Sequence, residues 1–372
     1  MKQYLDLVER VLLRGDLKQN RTGVDSISVF GESFKHDMRD GFPLLTTKSI
    51  GLKTVSAELE FFIRGLQDKR WLQQRGCNIW DEWSNPEVLQ ERLQEWYRDQ
   101  SINGVPKDEL KKEFDAVKLA YQQEITDLGP IYGVQWRNFG STYTCLAGTE
   151  YDEIPHTSKE LMRAPDGSWA AVNFSTGIDQ LGTVVEDIVK CPTSRRLIVS
   201  AWNPTDLPRM ALPPCHMFFQ FNVGFNNVGN EEVCSEMKDD PSSQKDSRPV
   251  YLDLIWYQRS VDVALGLPFN IASYGLLLTL VARHCNLEPR FLTGSLGDTH
   301  IYKTHQEGLA SQITRDCKPL PKLEIENNVT AQENPDVDKC TPAYFNMWEW
   351  EYDKYILNNY SHHPRIDFDI AV

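Results

Sequence analysis

Cys215 closes the segment LPPC, directly before the apolar run HMFFQF, and Pro213 and Pro214 fix the backbone that delivers its thiol. A lone cysteine is more often a small buried hydrophobe than a nucleophile, so its neighbours decide the reading. Arg21 in NRTG, Arg195 and Arg196 in TSRRL, and Arg259 in YQRS stand in polar, sharply defined settings. Arginine makes bidentate bonds to phosphate, and a nearby guanidinium lowers a thiol's pKa toward thiolate. Together the four fit a phosphate dianion; singly, each reads as a solvated side chain. Asn270 in GLPFNIASYG carries both a donor and an acceptor, which suits one edge of a base, although by residue type alone it reads as a helix N-cap. His300 and Tyr302 in GDTHIY share one strand face, where they either donate to a sugar hydroxyl or pack as a satisfied pair. Glu58 in VSAELEFF is a costly carboxylate to bury, so on its own pattern it is expected to point outward.

The elements that position these residues follow from periodicity. Residues 4–14 read as an amphipathic helix and 26–38 as a strand with a bulge at Gly31, with QNRTG a turn between them. Helices are expected over 54–64 and 68–75, then CNIWDEW sets two tryptophans beside two acids in a loop. From Asn85 to Leu128 the spacing of Leu110, Phe114, Val117, Tyr121 and Ile125 predicts an added surface helix pair. Segments 140–176 and 224–249 are polar with little periodicity and read as long excursions. Strands are expected over 196–202, 215–223, 250–263 and 289–302, with one long buried helix from 268.

Composition narrows the class. The 372 residues are 41% hydrophobic, enough for a large core, and the formal net charge of -14 gives no broad basic surface, so no nucleic-acid partner is expected. No apolar run is long enough to span a bilayer, and Asp6 and Glu9 interrupt the start where a signal peptide would be apolar, which predicts a cytoplasmic protein without a membrane partner. The eight scattered cysteines form no CxxC pair and are expected to be mostly buried thiols. Without a Walker loop, a GxGxxG after a strand or HExxH, nucleoside triphosphates, nicotinamide cofactors and catalytic zinc lose support. Motifs alone stop at a phosphate-binding cysteine enzyme.

Taken in order, NRTG, FPLLTTK, NIWDEW, LGPIYGVQWR, SRRLIVSAWNP, LPPCHMFFQF, YQRSVDVALGLPFNIASY and GDTHIY resemble the thymidylate synthase family from end to end of the chain. The resemblance implies a single α/β (α+β) domain over 1–372, with insertions near 85–127, 140–176 and 224–249. Its twisted mixed sheet, flanked by helices, would pack face to face with a second copy in an obligate homodimer. It implies dUMP and the reduced folate 5,10-methylenetetrahydrofolate as substrates, with no metal. Cys215 would be the nucleophile; Arg21, Arg196, Arg259 and Ser260 would hold the phosphate, with Arg195 and Arg196 reaching over from the partner subunit. Asn270 would bind the uracil edge, with Gln258 in the same dUMP site, and His300 and Tyr302 would hold the 3′ hydroxyl. Glu58, Tyr132, His216 and Asp262 fall at positions for the water network, proton transfers and pterin recognition. Ile79, Trp80, Trp83, Leu212, Gly266 and Phe269, with Asp262 and the terminal Val372, would line the folate pocket.

Thiolate attack at C6 would make C5 of the pyrimidine a carbon nucleophile that captures the folate's one-carbon unit. Hydride transfer then gives dTMP and dihydrofolate, whereas water addition gives 5-hydroxymethyl-dUMP. Trp80 and the Ala-Val terminus resemble the closing elements of synthases and favour hydride transfer. Ala57 and Glu60, in SAELEFFIRG, and the acidic Asp367 and Asp369 depart from the family pattern. A member that only binds nucleotide or messenger RNA is the reading from another class, and intact Cys215, Arg259, Glu58 and Asn270 argue against it.

Overall fold

The computed structural model describes residues 1–19, 23–140, 142–147, 161–163, 169–175, 177–225, 249–328 and 345–369, the three short segments between 142 and 175 as backbone only. In chain order the elements are α1 (Lys2–Arg14), β1 (Asp16–Lys18), β2 (Ser26–Asp37), α2 (Leu52–Ile63), α3 (Arg70–Gln73), α4 (Pro86–Ile102), α5 (Lys107–Glu124) and α6 (Tyr132–Asn138). There follow β3 (Thr142–Ala147), β4 (Leu161–Arg163), β5 (Trp169–Ser175), α7 (Gln180–Lys190), β6 (Ile198–Ser200), β7 (His216–Phe225), β8 (Pro249–Asp262) and α8 (Gly266–His284). The last are β9 (Glu288–Tyr302), α9 (Gln306–Gln312), β10 (Lys322–Ile325) and β11 (Tyr355–Asn358).

Six strands form one mixed sheet in the order β1-β2-β9-β8-β7-β6, flanked by helices, as the α/β expectation required. Every pairing is antiparallel except β8 with β9, which α8 joins by a crossover. One sheet face carries the row Val199, Phe219, Trp256, Gly294 and Phe34, matched across five strands. The side chains of that row are buried, and Trp256 stacks on Tyr274 of α8 with ring centroids 4.9 Å apart. Ile271 to Leu278 are buried without a break, so α8 is a core helix, apolar all round. The other face leaves Phe30, Ile198, Phe218 and Ile255 exposed.

Several expectations need correction. Register between β2 and β9 is the same on both sides of Gly31, but Gly31 itself takes φ +85 and has no partner in the ladder; Ile27 and Val29 before it and Phe34 after it all pack on the core, so the strand changes face there without shifting register. The strand expected over 196–202 shortens to three residues. The 140–176 segment holds a three-stranded antiparallel sheet in the order β3-β5-β4. Its polar average hid runs such as TYTCLA and WAAVNFS, whose Thr, Tyr, Val, Phe and Trp favour strands. Of the 224–249 excursion, 226–248 lie outside the described residues. Cys191 and Cys317 are exposed and only Cys77 is buried among the described cysteines, against the expectation of mostly buried thiols.

Candidate active site

Cys215 immediately precedes β7 and opens into a cleft of about 790 Å³. Trp83, Leu212, Arg259, Ser260, His300 and Tyr302 line the same cleft. Arg259 is on β8 beside the turn that carries Cys215, where its Nε and Nη2 donate to the carbonyls of Pro214 (2.9 Å) and Pro213 (2.8 Å), and its backbone N–H donates to Cys215 O (2.8 Å). Two guanidinium N–H groups thus fix the turn that presents the thiol, and the head still faces the cleft. His300 and Tyr302, two apart on β9, meet edge to face at 5.2 Å. His300 also contacts Asp298, which pairs with Lys18 at 3.0 Å.

Behind Cys215 lies an aromatic stack. The Cys215 N–H donates to the hydroxyl oxygen of Tyr132 at 2.7 Å; the Tyr132 ring stacks on Phe62 at 5.1 Å and on His216 at 4.2 Å. His216 Nδ1 lies 2.8 Å from the Tyr274 hydroxyl, and burial pushes its pKa down to about 3, so its imidazole is neutral. Burial raises the Tyr132 phenol well above its usual range, with Cys215 and Glu58 adding to the effect, so Tyr132 keeps its proton. Gly133, next to Tyr132, allows this packing: a Cβ there would stand 2.7 Å from Phe62 O.

Glu58 does not point outward. Its Oε1 accepts from the Trp80 indole at 2.8 Å, and burial raises its pKa to about 7, partly offset by that hydrogen bond. Only a donor brought in from a distant loop makes the inward position tenable, and helical periodicity cannot reveal one. The two unusual neighbours stay out of the cleft: Ala57 is buried in the core, and Glu60 accepts from Arg64 Nε (2.6 Å) and Tyr352 N (2.9 Å).

Asn270 does not cap α8, because the helix already begins at Gly266 and Asp262 Oδ1 accepts from the N–H groups of Ala264 (2.9 Å) and Leu265 (3.1 Å). Its Oδ1 instead accepts from Gln258 Nε2 at 3.0 Å, an orientation secured by Trp256 Nε1 donating to Gln258 Oε1 at 3.2 Å. Gln258 thereby engages the asparagine through its acceptor end. Gly266 borders this corner: a Cβ on it would lie 3.7 Å from Asn270 Oδ1 and 3.8 Å from Asp262 Cβ.

Other residues stand apart from the cleft lining. Ile79 is exposed, Trp80 is buried beside Glu58, and Phe269 packs half-buried against the core. Arg195 and Arg196 are exposed before β6. Arg21 and Val372 lie outside the described residues. Sequence reasoning missed Lys18, Trp202, Leu207 and Asp298, all in the cleft lining, and Lys48, which is buried and donates to Ala264 O at 2.5 Å. Lys48 lies 4.9 Å from the Phe368 ring, and burial lowers its pKa to about 8. The signal for Lys48 was present in FPLLTTK, an apolar segment ending in a charge. Among the described residues no helix is long and apolar enough to cross a membrane.

Residues 2–372 match the family model described as Thymidylate synthase. A protein named Thymidylate synthase from Mycoplasma genitalium is 36% identical over 378 aligned positions, covering 100% of both chains. The match of residues 2–372 and a full-length relative at that identity establish that the chain belongs to the thymidylate synthase family.

Proposed function

We propose that this chain catalyses the reductive methylation of dUMP to dTMP, taking the one-carbon unit and a hydride from 5,10-methylenetetrahydrofolate and releasing dihydrofolate. The observation that carries the reading is Cys215 opening into the same cleft as Arg259, Ser260, His300 and Tyr302. Arg259 and Ser260 hold the phosphate with Arg21, His300 and Tyr302 take the 3′ hydroxyl, and the donor end of Asn270 meets uracil O4. The Cys215 thiolate attacks C6, and the negative charge passes through C5 to O4. Glu58, able to gain or lose a proton near neutral pH, exchanges it with that oxygen through water, and Tyr132 assists loss of the C5 proton. His216 stays neutral and packs behind them.

The folate supplies the one-carbon unit and the hydride. Trp83, Leu207, Ala211 and Leu212 give a cleft wall suited to a flat ring; the family resemblance adds Ile79, Trp80, Phe269, Gly266, Asp262 and Val372 to the folate-binding set. Exclusion of water by Trp80 and the tail favours dTMP over 5-hydroxymethyl-dUMP, and Ala57 and Glu60, directed away from the cleft, give water no new route. The working unit is a homodimer of single-domain chains carrying three insertions, joined through the face with Phe30, Ile198, Phe218 and Ile255, and it acts in the cytoplasm. That packing would bring Arg195 and Arg196 to the partner's phosphate.

The test is to incubate the protein with dUMP and 5,10-methylenetetrahydrofolate, follow dihydrofolate absorbance and identify the nucleotide by mass spectrometry. dTMP with dihydrofolate is expected. 5-Hydroxymethyl-dUMP with tetrahydrofolate, or no turnover and no covalent complex with 5-fluoro-dUMP, would overturn the reading.

A further inference from the structure

Lys69 is fully buried, and its ammonium donates to three backbone carbonyls: Asp81 O at 2.9 Å, Trp83 O at 2.8 Å and Gln122 O at 2.8 Å. An ammonium has three protons, so the group is fully satisfied. Two of the carbonyls belong to the tryptophan loop and the third to the last turn of α5. The lysine's own N–H donates to Thr126 O at 2.9 Å. Next to it, Leu128 N donates to Gln67 O at 2.9 Å, and Asn85 donates to Asp127 through both its backbone (2.8 Å) and its side chain (2.8 Å). The loop bearing Trp80 and Trp83 and the last turn of α5 therefore meet on one cation, and the start of α4 is tied beside them through Asp127.

We propose that Lys69 is a positioning residue for the folate half of the site, locking the 81–83 backbone against the α4–α5 pair so that Trp83 lines the cleft and Trp80 keeps its bond to Glu58. The inference rests on the functional reading above. No other side chain matches the arrangement. Methionine fills the space but leaves three buried carbonyls without a donor, and arginine's planar fork cannot converge on three acceptors around one nitrogen. The dUMP half is supported by β8, β9 and α8, none of which supplies a carbonyl to Lys69, so the two halves should respond differently.

The experiment compares the full-length chain with Lys69→Met and Lys69→Arg, measuring KM for 5,10-methylenetetrahydrofolate, kcat, and dUMP affinity by calorimetry. Lys69→Met is expected to raise the folate KM tenfold or more while dUMP affinity stays within twofold, and Lys69→Arg to fall between it and the parent. If Lys69→Met does not fold, Lys69→Arg carries the test with a threefold or greater rise in folate KM. A folded variant with unchanged folate KM overturns the inference alone. So does a parallel loss of dUMP and folate binding, which would mark Lys69 as merely structural. A parent chain that never consumes the folate overturns the functional reading, and this inference with it.

Discussion

Glu58 holds its proton up to about pH 7 because its carboxyl is shielded from water and, among the described residues, only the Trp80 indole donates to it. A carboxyl whose folded pKa lies above its unfolded value binds its proton more tightly in the native state. Its favourable contribution is complete below the unfolded pKa and is lost as pH rises through about 7. Glu58→Gln should therefore stabilise the protein at pH 8 by about 1–3 kcal/mol, seen in the denaturation midpoint, while turnover falls roughly 100-fold or more. A stable variant with normal kcat would remove Glu58 from the proton path. Asn270→Asp keeps an acceptor for Gln258 and replaces the amide donor with a second acceptor, which suits cytosine's amine rather than uracil's oxygen. A fall of about tenfold or more in kcat/KM for dUMP and a gain for dCMP are expected; an unchanged ratio would refute the assignment. Both residues were misread by type alone. Outward exposure and helix capping are the commonest fates of Glu and Asn, and the partners that overrule them, Trp80 and Asp262, are recruited by the fold.

At the scale of elements, the site depends on how closely α6 approaches α2. Gly133→Ala would set a methyl 2.6 Å from Phe62 Cα, and backbone cannot yield as a side-chain tip can. A loss of about 1–3 kcal/mol in stability is expected, together with a lower kcat, as Tyr132 is displaced from the Cys215 N–H. An alanine variant with parental stability and kcat would show that α6 has room to spare. The α4–α5 pair was legible in the sequence because its few apolar residues recur at helical spacing, and Asn85 and Pro86 mark its start, Asn85 Oδ1 accepting from Glu87 N at 3.0 Å. The β3-β5-β4 sheet was not legible, since its short strands are diluted by polar connections. The clamp at Lys69 was equally hidden: its acceptors are all backbone carbonyls, which leave no trace in residue type.

For the whole molecule, the exposed row Phe30, Ile198, Phe218 and Ile255 belongs to an otherwise well-packed sheet, and covering it with a second chain is the natural resolution. Sedimentation should give roughly 86 kDa, twice the chain mass of 42.8 kDa, and Ile255→Asp should shift the protein toward monomer with loss of activity. If arginines cross the interface, Arg196→Ala and Cys215→Ser, each inactive alone, should recover about a quarter of parental activity when refolded together. Half of randomly paired dimers are mixed, and each mixed dimer has one intact site. No recovery would place Arg196 in its own chain's site. The sheet order also imposes a schedule on biosynthesis. Strand β2 pairs with β9 from Ser26 opposite Tyr302 to Asp37 opposite Phe291, so an early strand waits for a partner far along the chain, made after β8 and α8. Until β9 leaves the ribosome, β2 and β8 are open edges and the nascent chain is at its most exposed to aggregation. A chain arrested before Glu288 already contains Cys215 and Arg259, yet lacks the His300 and Tyr302 wall of the cleft.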